Sequence, residues 1–319
     1  MTAFVGVDLG GTQIRAILRD AQGAIVSRAS ILTQASDGQK QVIARIIETV
    51  RQTVSGIPWG TIGGIGIGVP GPVDPWTGVV LQAPNLPGWR DVPIRDIVQS
   101  AFGVPVEVGN DANLAALGEH MYGAGIGVAN LIYVTISTGI GGGIIADGKL
   151  LLGAKGLAGE FGHQTLVPDG PLCGCGNRGC LEALGSGTAI ARMAREAVAR
   201  GQGQKLLELA QGSVEALDAR IVASAARAGD AVAQDILRCA ATYVGIGLAN
   251  VVNILNPELI VLGGGVTRMG ELLFDPVREV IAQRAMPAMR AVRIVPAALG
   301  GDVVLFGAVA LIANALKGE

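Results

Sequence analysis

The stretch from Gly159 to Glu182, GEFGHQTLVPDGPLCGCGNRGCLE, holds one histidine and three cysteines close together: His163, Cys173, Cys175 and Cys180. One imidazole and three thiolates are the number and softness of donors that a closed tetrahedral zinc site takes. Gly174, Gly176 and Gly179 let the backbone fold three thiols towards one ion. Two carboxylates flank the set, Glu160 and Glu182, and a four-ligand site needs neither. Each is therefore available to another partner, although a purely structural staple accounts for the donors equally well.

A second group of residues carries phosphate chemistry. Ala3 to Leu9 reads as a strand that contains Asp8 and runs into the turn Gly10-Gly11-Thr12, followed by Gln13 and a second strand at Ile14 to Arg19. Bare backbone N–H groups and a hydroxyl suit a phosphate, and Asp8 suits a magnesium ion held through water. An ordinary β-hairpin remains open on local grounds. It is not a Walker A loop, because no Gly-Lys-Ser/Thr opens a helix here. The pattern recurs at Leu131 to Ala146, where a strand, the turn around Thr138 and Gly139, and another strand follow one another. Two such hairpins facing one another would grip a polyphosphate from both sides. Leu259 to Leu262 is a strand that breaks into Gly263-Gly264-Gly265, where a nucleoside could lie against backbone; a simple tight turn is the alternative.

A third group suits a polar ring. Gly63 to Val69 alternates glycine with Ile or Val, reads as a tightly packed strand, and ends in Pro70-Gly71-Pro72, where open α/β sheets place ligands. Asn85 lies in the Pro/Gly-rich segment Gly78 to Trp89, which has too many prolines for regular structure; it is either a turn former or a donor–acceptor for a ligand. Val104 to Asn110 is a strand, and Ala112 to Tyr122 a helix. Asp111 stands at their junction, as a helix cap or as a carboxylate that orients a hydroxyl and takes its proton late.

These residues need a framework. At 319 residues the chain exceeds the usual single core, so two domains are expected. We place the first at 1–122, joined by a C-terminal helix at 301–319, and the second at 123–300. From Ser186 onward helices dominate: Gly187 to Arg200, Lys205 to Gln211, Asp218 to Ala228, Asp230 to Leu255 and Pro276 to Arg284. A net charge of −2 gives no footprint for nucleic acid or an anionic membrane. No apolar run of bilayer length is expected, nor a signal peptide, so clustered cysteines favour metal over disulfides and the expected compartment is the cytoplasm. Cys239, alone at a helical apolar position, is expected in the core.

Taken in order, DLGGTQIR, GVPGPVD, APNLPGW, GNDAN, STGIGGG, GEFGH, CGCGNRGCLE and LGGGV resemble the ROK family of sugar kinases and repressors over essentially the whole chain. The resemblance implies an α/β, two-domain hexokinase/actin-like (ribonuclease H-like) fold with an interdomain cleft. It also implies ATP-dependent phosphorylation of a hexose, of which glucose fits best, and a homodimer. It makes Asp111 the base for the sugar 6-hydroxyl, and Gly71, Asn85, Asn110, Glu160, His163 and Glu182 sugar contacts. Asp8, Gly10 to Gln13, Thr138-Gly139 and Gly263 to Gly265 would serve Mg-ATP, and His163, Cys173, Cys175 and Cys180 would hold zinc. Gln13 departs from the lysine common at this position. Kinases of N-acetylglucosamine or N-acetylmannosamine, a polyphosphate-using glucokinase and a non-catalytic sugar-sensing regulator are the alternatives. No N-terminal DNA-binding domain is expected before the strand at Ala3.

Overall fold

The computed structural model describes residues 2–318. The chain begins with β1 (Ala3–Leu9), β2 (Gln13–Arg19), β3 (Ile25–Leu32), α1 (Gln39–Thr53), β4 (Ile62–Val69), β5 (Val73–Asp74), β6 (Val79–Gln82), β7 (Arg90–Val92), α2 (Ile94–Phe102), β8 (Val106–Asn110) and α3 (Asp111–Tyr122). It continues with β9 (Leu131–Ile136), β10 (Ile140–Ala146), β11 (Lys149–Leu150), α4 (Leu181–Gly185), α5 (Gly187–Ala199), α6 (Gln204–Leu209), α7 (Ala219–Arg227) and α8 (Ala231–Leu255). Last come β12 (Leu259–Gly263), α9 (Glu271–Arg284), β13 (Arg293–Pro296) and α10 (Val303–Lys317).

Two compact units emerge. One comprises Met1–Ala129, Gly143–Gly159 and Ala298–Glu319; the other comprises Asn130–Gly142 and Glu160–Ala297. The segment 143–159, which the sequence reading placed in the second half, thus clusters with the first unit.

The sheet orders show why the sequence pattern starts over. The first sheet runs β3-β2-β1-β4-β8 and the second β11-β10-β9-β12-β13, the same order of succession. In the first, β1 is antiparallel to β2 and parallel to β4, and β4 is parallel to β8. The register carries Asp8 opposite Gly68, Gly68 opposite Gly109, and Val69 opposite Asn110. Asp8 and Asn110 therefore share one edge of the sheet, at the strands' C-terminal ends, without being neighbours in sequence.

The glycines of β4 have a packing cause. α10 lies so close to this strand that an added Cβ at Gly66 would stand 1.8 Å from the Ala308 carbonyl oxygen. The apolar residues between them, Ile65 and Ile67, are fully buried, as are Val5 and Val7 on β1. Burying such side chains contributes about 1.5–3 kcal/mol each.

Three expectations need correction. The Pro-rich stretch is not irregular throughout, since β6 pairs with both β5 and β7 in a small antiparallel sheet. Cys239 is exposed on α8 rather than buried. Among the described residues, two helices, Ala231–Leu255 and Gly300–Lys317, are long and apolar enough by composition to cross a membrane. Both are packed elements: α8 lies against α4, α5, α7 and α9, and α10 lies against α3 and the first sheet.

Candidate functional site

In the first unit the strand-end turns converge. The first glycine turn is closed by its own backbone: Gly10 N–H donates to the Gln13 carbonyl at 2.9 Å, and Thr33 N–H to the Thr12 carbonyl at 2.8 Å. The buried Thr33 hydroxyl adds a bond to the Gly10 carbonyl at 2.6 Å. Asn85, exposed on its loop, has its Cβ 3.4 Å from where a Gly11 Cβ would stand. Asp8 is held by Arg15, whose Nη2 donates to its carboxylate at 2.5 Å and to the Gly301 carbonyl at 2.8 Å. Burial pushes the Asp8 carboxyl above its ordinary pKa, while the Arg15 hydrogen bond and charge pull it back. Sequence reading missed this arginine's role; its place opposite Asp8 in the β1–β2 register was the available signal.

At the start of α3 the N-cap is the residue before Asp111. Asn110 is the N-cap of α3, accepting from the N–H groups of Ala112 at 2.9 Å and Asn113 at 3.1 Å. Such a cap contributes about 1 kcal/mol. The Asn110 amide also donates to the Gly71 carbonyl at 3.0 Å, tying the turn after β4 to the helix start. Asp111 is the first helical residue, half-buried, with Oδ1 accepting from Ala112 N–H at 2.8 Å. The capping duty at this helix start thus falls to Asn110.

In the second unit, the donor atoms of His163, Cys173, Cys175 and Cys180 all lie within 4.8 Å of one another. Cys173 Sγ is 3.7 Å from His163 Nδ1, and Cys175 Sγ is 3.7 Å from Cys180 Sγ. A tetrahedral zinc ion with ordinary bond lengths separates its donors by roughly 3.6–3.8 Å, so the set fits the metal. Burial pushes the Cys173 thiol up to about 12 and raises Cys180, so a cation taken up here displaces protons. The other histidine nitrogen, Nε2, lies 3.8 Å from the Glu160 carboxylate. One ring thus presents one nitrogen to the sulfurs and the other to an exposed acid.

Glu182 is placed differently from Glu160. Its Oε2 accepts the Ile140 N–H at 2.9 Å, and its Oε1 lies 3.6 Å from Cys173 Sγ. The turn between β9 and β10 is pinned at other points as well: Gly187 N–H donates to the Ser137 carbonyl at 2.8 Å, and the Thr188 hydroxyl to the Thr138 carbonyl at 2.7 Å. That turn borders a cleft of about 610 Å³, lined by Ser137, Thr138 and Gly265 and walled by α5 through Thr188 and Arg195 and by α7 through Arg220 and Ala223. Gly264 and Gly263 do not line it; Gly263 ends β12, tight against the Tyr133 ring. The α5 and α7 walls carry no motif, and sequence reading did not find them.

The profile of the ROK family matches residues 4–315. The chain is 38% identical to the glucokinase of Thermotoga maritima, over 99% of this chain and 98% of that one. It is 37% identical to the xylose repressor of Caldicellulosiruptor bescii, over 90% of this chain and 71% of the repressor. Among solved structures, a ROK family glucokinase from Streptomyces griseus in complex with glucose and AMPPNP superposes with a TM-score of 0.81 at 40% identity, covering 96% of this chain and 98% of that chain. Sequence match and shared fold extend across nearly every residue from the first strand to the last helix, and on that ground the chain belongs to the ROK family.

Proposed function

We propose that this chain is an ATP-dependent glucokinase that transfers the terminal phosphoryl group of ATP to the 6-hydroxyl of glucose. The observation that carries the reading is Asp111: it stands at a strand–helix junction whose capping is done by Asn110, in a chain similar along its whole length to glucokinases. Asp111 orients the 6-hydroxyl and accepts its proton as the bond to phosphorus forms. Gly71, Asn85, Asn110, Glu160, His163 and Glu182 contact the remaining hydroxyls. The Gly10–Gln13 and Thr138–Gly139 turns receive the phosphates, and the cleft beside Gly265 receives the nucleoside. Phosphoryl transfer is chiefly positioning and charge stabilisation, which is what this set of backbone donors and side chains supplies.

Magnesium would be held on the Asp8 side, where a carboxylate and the Thr12 hydroxyl offer hard oxygen donors; bound there, it neutralises phosphate charge. Because Arg15 already engages Asp8, a contact through water suits this carboxylate better than a direct one. Zinc would be held by His163, Cys173, Cys175 and Cys180, fixing the imidazole so that Nε2 faces the sugar. The 610 Å³ cleft has the size of a small-molecule site and favours a nucleotide over polyphosphate as donor. We further propose a cytoplasmic homodimer.

A coupled assay over glucose, mannose, N-acetylglucosamine and N-acetylmannosamine, with ATP and with polyphosphate, tests the reading. Glucose with ATP should give the highest kcat/KM. Preference for an acetamido sugar, or for polyphosphate, would replace the glucokinase assignment with the corresponding kinase. The likeness to the xylose repressor favours a second reading, a non-catalytic sugar sensor. Sugar binding with no turnover on any donor would select it.

A further inference from the structure

Glu182 is the side chain that touches both the cysteine–histidine cluster and the glycine turn between β9 and β10. Its Oε2 accepts the Ile140 N–H at 2.9 Å, and a Cβ added at Gly139 would stand 2.3 Å from that same oxygen. Its Oε1 lies 3.6 Å from Cys173 Sγ. The backbone around Glu182 is held by the cluster as well: Cys180, one of the four donors, immediately precedes α4 and is fully buried. Leu181 N–H is fixed by the Gln164 carbonyl at 2.9 Å, one residue beyond His163. A few residues further on, Gly187 and Thr188 hold the Ser137 and Thr138 carbonyls. Beyond its own bond from Ser137 N–H to the Gly139 carbonyl, the turn is held by the segment 182–188, and the start of that segment is set by the residues that gather around the metal position.

From this connection we infer that Glu182 is a positioning residue through which occupancy of the zinc site sets the geometry of the Thr138–Gly139 phosphate turn. Zinc then governs nucleotide binding as well as sugar binding. The inference rests on the kinase reading above, in which that turn belongs to the donor site. Its physical basis is the short backbone path behind a metal ligand: Cys180 caps α4, so fixing Cys180 fixes the carboxylate two residues on that holds the Ile140 N–H. With the cluster loaded, the Cys173 thiolate has no proton to donate to Oε1, the start of α4 is fixed through Cys180, and Oε2 stays on Ile140. With the cluster empty, Cys180 and the start of α4 are free to shift, and the protonated Cys173 thiol donates to Oε1 and draws the carboxylate towards the sulfurs.

The test is a cycle of Glu182 variants and zinc removal, read by calorimetric ADP binding without sugar, with zinc per chain and KM for ATP and for glucose measured alongside. Zinc-loaded Glu182→Ala should bind ADP about tenfold more weakly at near-full zinc occupancy. Glu182→Gln, which keeps an acceptor for Ile140, should stay within about threefold of wild type, since the neutral acceptor retains part of the bond. Stripping zinc from wild type should weaken ADP by a similar factor, and stripping it from Glu182→Ala should add little, the non-additivity expected of two changes on one path. Losses that multiply, or stripped wild type that binds ADP as well as the loaded protein, would overturn the inference. Should stripped wild type unfold in a thermal melt, unchanged ADP affinity in loaded Glu182→Ala overturns it instead. A wild-type protein that binds no ADP at all refutes the kinase reading itself, and with it the coupling.

Discussion

The turn at Gly10 to Thr12 and the turn at Thr138 to Gly139 follow the same plan of strand, glycine–threonine turn, strand, yet they are supported in different ways. The first supports itself. Its bonds run from Gly10 to Gln13 and from Thr33 back to Thr12 and Gly10, all within three adjacent strands or their ends. The second has one bond of its own, from Ser137 N–H to the Gly139 carbonyl at 2.9 Å, and otherwise depends on groups forty to fifty residues further along the chain: Glu182, Gly187 and Thr188. Repetition of a sequence pattern therefore does not carry with it repetition of mechanical support. A turn closed by its own strands keeps its shape whenever the sheet is intact, whereas a turn hung on a distant helix start inherits whatever moves that helix.

The largest expected effect sets the scale for comparing the two turns. Asp111→Asn should fold and bind glucose but lose about 10²–10⁴-fold in kcat, the usual worth of a positioned base. Steady-state kinetics with calorimetric glucose binding checks this, and retained turnover would show that neither turn is being read out through chemistry at Asp111.

Next comes the direct contrast of the two turns. Gly139→Ala pushes a methyl against the Glu182 carboxylate and should break its bond to Ile140, raising KM for ATP roughly tenfold or more, as loss of a hydrogen bond to a charged group implies. Gly11→Ala meets only the Asn85 Cβ at an ordinary 3.4 Å and should change KM for ATP by less than about threefold. Equal effects would erase the distinction between self-supported and suspended turns.

The smallest effect concerns the acid beneath the first turn. Burial raises the Asp8 pKa in the folded protein, so the folded state holds this proton more tightly than the unfolded chain does. Stability from this source is complete below the unfolded value of about 3.9 and is lost as pH rises through the raised one. Urea denaturation across that window should show wild type losing stability relative to Asp8→Asn as pH increases. A difference of opposite slope would mean that the pull of Arg15 exceeds the cost of burial.

What could be read from the chain divides along these lines. The cysteine–histidine cluster was legible because His163 lies ten to seventeen residues before three cysteines that fall within eight residues, and these types have few other uses together. The start of α3 was legible to within a residue, but which of Asn110 and Asp111 caps it was not, since both are good caps and the choice rests on backbone geometry. The alternating glycines of β4 announced a close neighbour without naming α10, which lies more than two hundred residues further on. α9 begins at Glu271 and takes Pro276 into its interior, where the sequence suggested a start. Proline preference marks the first turn of a helix only loosely.

By itself the sequence determined the members of the cysteine–histidine cluster, the two glycine turns, the carboxylate at a strand–helix junction and the family to which these belong. All of these are local: short separations and single-residue chemistry fix them whatever surrounds them. Only the tertiary structure decided that Asn110 spends its side chain on the helix, that Cys239 faces outward, that α5 and α7 wall the cleft, and that Glu182 joins the cysteines to a turn some forty residues earlier. Such contacts follow from how helices and sheets pack, and the residues that make them are ordinary acids, alanines and threonines whose types alone do not specify a partner.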